Sequence, residues 1–139
     1  MKKNYLLILV MIAIVACVPS KKLKEMSKND IIFGSGGGFT NITKVYSLAY
    51  NGTIFKINSL TSKKEEIGKI PKKKARALFK KFISKGFDTL QFSKPGNMYS
   101  FIGYQNDSIE KKITWGGMEK VSKSVADFYQ ELNTLIANQ

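Results

Sequence analysis

Asn51-Gly52 separates two runs that read as strands, 44–50 and 53–59. An Asn-Gly pair at such a place fits a two-residue type I′ turn, because both central positions need positive φ and the turn's twist matches that of the flanking strands. A hairpin is therefore expected, and it commits the chain to antiparallel pairing. With Tyr50 opposite Thr53, Leu48 falls opposite Phe55 and Tyr46 opposite Ile57, which gathers five large side chains on one face.

The rest of the chain supplies elements to pack on that hairpin. Residues 30–33 read as a short strand leading into glycines, and 61–69 as a polar loop. Pro71 suits the first turn of a helix. Behind it Ala75, Leu78, Phe79, Phe82 and Ile83 form one apolar stripe at helical spacing, and Gly86 fits the position just past the helix end. Residues 87–92 fit neither period, and Pro95-Gly96 marks a turn. The runs 98–104 and 108–115 predict a second hairpin around Gln105-Asn106-Asp107. A last helix over 122–137 shows Val125, Phe128, Tyr129, Leu132, Leu135 and Ile136 on one side, with Ser122 or Ser124 to cap it. The predicted order is β-β-β-α-β-β-α. The expected fold class is α+β: an antiparallel sheet of about five strands with two amphipathic helices packed on one face.

The first sixteen residues have the three parts of a signal peptide: basic Lys2 and Lys3, an apolar run over about 5–15, and small or apolar residues before Cys17. That run is too short for the roughly 20 apolar residues of a bilayer span. Ile14-Val15-Ala16-Cys17 resembles the lipobox of bacterial lipoproteins, which implies cleavage before Cys17 and lipidation of this residue, the only cysteine in the chain. The two or three acyl chains implied would anchor durably, since each buried CH₂ contributes about 0.8 kcal/mol. The expected organisation is a signal peptide (1–16), a lipidated cysteine with a Lys-rich tether (17–29) and one domain (30–139). Val18 is not the Asp that resembles an inner-membrane retention signal, and Ser20-Lys21-Lys22 lacks the acidic residues of a surface-export tag. The expected address is therefore the cell envelope, on the periplasmic face of an outer membrane.

Charge and missing residue types bound the chemistry. The formal net charge is +13, or +11 once Lys2 and Lys3 leave with the signal peptide. Such a surface favours anionic lipid or an acidic polymer. The chain has no histidine, which removes Ser-His and Cys-His nucleophile pairs and His-ligated zinc. Acidic residues are scattered, and only Glu65 and Glu66 adjoin. Two carboxylates converging in space remain the one enzymatic arrangement open; the expectation is a non-catalytic protein without metal or cofactor.

The run Ser35-Gly36-Gly37-Gly38-Phe39-Thr40-Asn41 is the main candidate site. Gly34-Ser35-Gly36 begins like a dinucleotide fingerprint, but Phe39 takes the place of the third glycine and no Gly-Lys-Ser/Thr comes after it, so a nucleotide cradle is not expected. Two readings stay open. The glycines serve only a tight connection, or Gly36, Gly37, Gly38, Phe39 and Thr40 form a loop that brings an aromatic side chain to a partner. The run resembles the Ser-Gly-Gly-Phe-Thr/Ala-Gly signature of small bacterial lipoproteins and, more distantly, that of emfourin-type metallopeptidase inhibitors; it has an extra glycine, and Asn41 replaces the final one. The resemblance implies a functional loop that meets an envelope protein or peptidase.

Lys73, Lys74, Arg76, Lys80 and Lys81 lie outside the apolar stripe of the first helix. They are either a solvated surface or a basic face for anionic lipid or polymer. Phe79 and Phe82 fall on the buried stripe rather than among these lysines, which argues against nucleic acid. Trp115, before Gly116-Gly117, is a core plug or the wall of a pocket with Tyr99 and Tyr104. The expected function is a membrane-anchored binding or protease-inhibitor-like module acting through the glycine loop, the rival being a scaffold that works through the basic face.

Overall fold

A computed structural model describes residues 18–40 and 42–138. The expected signal peptide, Cys17 and Asn41 lie outside the described residues. The elements are α1 (Ser20–Met26), β1 (Asp30–Gly37), β2 (Lys44–Leu48), β3 (Thr53–Asn58), β4 (Lys64–Lys69), α2 (Lys72–Ser84), β5 (Ser93–Lys94), β6 (Met98–Gln105), β7 (Glu110–Trp115) and α3 (Lys123–Ala137). The sheet runs β4-β3-β2-β1-β6-β7-β5. Every neighbouring pair is antiparallel except β5 and β7. The protein is α+β, and its described residues form seven strands and three helices where about five and two were expected.

β1 is central because Ile31-Ile32-Phe33 is apolar on both faces. Ile31, Ile32 and Phe33 all lack solvent exposure. Ile31 and Phe33 turn toward the helices and join Leu48, Ile54, Ile102 and Ile113 in a core closed by Leu78, Phe79 and Phe82 of α2 and Val125, Phe128 and Leu132 of α3. Both helices form where the 3.6-residue stripe predicts. Gly86, at φ +72°, takes the left-handed position after α2, and the Ser122 hydroxyl accepts a hydrogen bond from the Val125 amide at the start of α3.

Ile32 and Phe101 are buried on the opposite face, which no helix of the described residues covers. The Phe101 ring lies across Gly34, where a Cβ would come within 2.9 Å of Cζ. The Lys112 ammonium stands 5.0 Å over the same ring and that of Lys64 5.8 Å over Phe55. Lys64 of β4 also reaches Asp30 of β1 at 2.8 Å across two intervening strands, so the sheet curls around this face. Lysine stems and curvature thus do the sealing that a second helix layer would otherwise provide.

Four expectations change. The 18–29 tether contains α1, whose Met26 is buried in the core and whose Lys22 pairs with Asp88 at 2.9 Å. The main core therefore includes Met26 of this segment, with Leu23 packed against it. The 61–69 loop contains the edge strand β4. The hairpin is offset by one residue from the predicted register, with Leu48 opposite Ile54 and Ser47 opposite Phe55. Its loop is Tyr50-Asn51-Gly52, in which only Gly52 has positive φ (+98°) and the Asn51 side chain accepts from the Thr53 amide at 3.0 Å. That is a three-residue hairpin connection rather than a type I′ turn. The fourth change concerns the glycine run, whose first residues, through Gly37, are strand.

Candidate functional site

Gly34 to Gly37 continue β1, paired with β2 on one side as far as Ser35 and with β6 on the other throughout. Gly36 lies beneath the Tyr99 ring. A Cβ there would sit 2.6 Å from the Tyr99 hydroxyl and 2.8 Å from Thr43 Oγ1, two oxygens that are themselves 3.2 Å apart. Gly36 and Gly37 are thus part of the central strand and not of a loop. The chain leaves the sheet at Gly37 and Gly38, with φ +92° and +79°. The Gly38 amide donates to the Asn97 carbonyl at 2.7 Å, which fixes the exit on the neighbouring turn.

Beyond this exit the chain stands in solvent. Phe39 is 108 % exposed and Thr40 is exposed beside it. Strand register puts the 38–43 connection at the same end of the sheet as residues 59–63, 95–97 and 116–122. At this tip Leu60 is 94 % exposed, Met118 101 %, Ile42 63 % and Met98 62 %. Among the described residues only two further large apolar side chains, Leu90 and Ile109, are exposed. Exposed apolar surface is therefore concentrated here.

The tip is held by its own backbone. Gly117 N–H donates to the Lys94 carbonyl at 3.0 Å, and the backbones at Gly96 and Gly116 touch so closely that a Cβ at Gly96 would overlap the Gly116 carbonyl. In the 59–63 connection the Asn58 side chain accepts from the amides of Leu60 (2.9 Å) and Thr61 (3.0 Å), while the Ser62 amide returns to the Asn58 carbonyl at 2.8 Å. Leu60 is thus presented outward by an ordered Asx turn. Ile42 and Leu60 share a groove of about 410 Å³ with Lys44 and Lys56.

The basic face is a separate place. Lys73, Lys74, Arg76, Lys80 and Lys81 are all exposed on α2. Arg76 lies over the Tyr50 ring at 5.5 Å, and Lys81 pairs with Glu131 at 2.6 Å. Lys73, Lys74 and Lys80 make no ion pair among the described residues. No acidic residue occupies the first turn of α2, so Lys72, Lys73 and Lys74 stand against the positive end of the helix dipole.

Trp115 is half-buried on the helix side of the sheet, edge-on to Tyr129 at 5.2 Å. Tyr104 packs on Phe82 on that side, whereas Tyr99 lies on the curled face. The three do not meet in a pocket. Among the described residues no three Asp, Glu, Cys or His side chains converge as metal ligands, and no helix is long and apolar enough to cross a membrane.

The residues that reading the sequence missed are Ile42, Leu60, Met98 and Met118. Each is a lone apolar residue in or beside a polar turn, and only strand order brings them together. No protein-family model and no curated protein matches this chain.

Proposed function

We propose that this protein is a lipid-anchored lipoprotein of the cell envelope whose domain is a non-catalytic binding or protease-inhibitor-like module acting through the tip that begins at Gly38. The supporting observation is Phe39, a large aromatic side chain held wholly in solvent on a connection fixed by the Gly38 to Asn97 hydrogen bond. A large aromatic side chain standing clear of its own protein buries much area when a partner covers it, which is the usual character of an interface hot spot.

Two results are expected. Phe39→Ala leaves the melting curve unchanged within about 0.5 kcal/mol, because the side chain packs on nothing. The same variant loses a partner that the wild-type domain captures from envelope extract at both low and high salt. A partner indifferent to Phe39 and released by salt would transfer the function to Lys73, Lys74 and Lys80 of α2, whose lack of ion pairs among the described residues supports the scaffolding reading. The anchor has its own test. Cys17→Ser abolishes incorporation of labelled palmitate; labelling retained by the variant would overturn the lipoprotein reading.

A further inference from the structure

The tip combines apolar protrusions with a biased rim of charge. Phe39, Leu60 and Met118 stand on three different connections, each almost fully in solvent instead of packed into one patch. A protein partner would have to offer a separate socket for each. A bilayer interface needs none, since headgroups and acyl chains rearrange around any apolar side chain that enters.

The charges select the kind of bilayer. Residues 38–43, 59–63, 95–97 and 116–122 contain one acidic side chain, Glu119, and it is already paired with Lys94 at 3.1 Å. Lys44, Lys56, Lys63 and Lys120 border the same connections without an ion pair among the described residues. Lysines ringing apolar protrusions place positive charge at headgroup depth while the apolar tips reach the acyl boundary.

We propose that the tip is a membrane-docking edge that inserts Phe39, Leu60 and Met118 into an anionic bilayer interface, with the surrounding lysines on lipid phosphates. This rests on the reading of the tip as the binding element and names what it meets. Since α1 hands the chain to β1 at the other end of the sheet, the contact is a separate attachment from a lipid on Cys17, and an unlipidated chain isolates it.

The test is flotation of the unlipidated chain from Val18 onward with vesicles of phosphatidylglycerol and phosphatidylcholine in equal parts, beside vesicles of phosphatidylcholine alone. The expected result is binding to the anionic vesicles, weakened about tenfold by Phe39→Ser or Leu60→Ser, the loss expected when one large apolar side chain is no longer buried. The triple variant with Met118→Ser should fail to float, while Lys73→Glu combined with Lys74→Glu and Lys80→Glu changes binding less than threefold. Phe39→Trp should show blue-shifted emission only with anionic vesicles. These side chains are solvated, so unchanged melting curves verify that each variant is folded. No binding by the wild type, or equal binding by the triple variant, overturns the proposal. A protein captured through Phe39 by a chain that ignores vesicles also overturns it but leaves the binding-module reading standing; if neither capture nor flotation responds to the tip, both fall.

Discussion

Phe82→Ala lowers the free energy of unfolding by about 3–5 kcal/mol, measured by urea denaturation with an unchanged slope. The ring has no solvent exposure and joins four parts of the molecule. It meets Phe87 beyond the end of α2 at 5.8 Å, Tyr104 of β6 at 6.2 Å and Phe128 of α3 at 5.9 Å, while Phe87 and Phe128 touch at 5.4 Å. Truncation leaves a void bounded by three other rings, each held by its own backbone element, so the site has little freedom to collapse. Against a typical domain stability of about 5–15 kcal/mol, that is a large share for one side chain. A double-mutant cycle with Phe128→Ala should return a coupling of about 0.5–1.5 kcal/mol, the size expected for an aromatic pair beyond its area. Additivity would mean that the two rings do not share a cavity.

That cluster was legible in the sequence because both helices advertise themselves. Ala75, Leu78, Phe79, Phe82 and Ile83 can lie on one side only of a helix, and Val125, Phe128 and Leu132 repeat the pattern. Where tertiary pairing outweighs local preference, the sequence misleads. β4 is Lys-Glu-Glu-Ile-Gly-Lys, with one large apolar residue; it is a strand because β3 offers a row of backbone partners, and its charges suit an edge that must not pair further. The same holds for Gly34 to Gly37, whose poor strand preference is offset by pairing to β6 throughout and by Phe101 and Tyr99 laid over Gly34 and Gly36. The hairpin offset has a smaller cause. Asn51 stays at negative φ and its side-chain oxygen accepts from the Thr53 amide, which lengthens the turn by one residue and reverses the faces of β3 relative to β2. Of the tip, Phe39 alone was visible, because Leu60 and Met118 become its neighbours only through the sheet order.

The glycines that shape the tip should differ sharply in what alanine does to them. Gly37→Ala destabilises the domain by more than about 3 kcal/mol: a non-glycine residue in the left-handed region costs about 1–2 kcal/mol, and at φ +92° the new Cβ would also overlap the Asn97 carbonyl oxygen. That oxygen accepts the Gly38 amide, so it cannot retreat without breaking the bond that holds the exit from β1. Gly38→Ala meets the same backbone strain at φ +79°, but the nearest obstacle is the Met98 sulfur at 2.9 Å, the mobile part of an exposed side chain. Its loss should therefore stay near the strain alone, about 1–2 kcal/mol. Gly34→Ala carries no left-handed penalty yet should resemble Gly37→Ala, since its Cβ would overlap the Lys44 carbonyl of β2 and press on Phe101. Thermal and urea unfolding of the three variants give the order directly. Equal, small losses would mean that the β1 exit yields without cost and that the rigidity ascribed to the tip is absent. A large loss at Gly37 beside a modest one at Gly38 would mean that Phe39 is presented from a fixed frame, because the residue just before it can absorb a change that the residue two before it cannot.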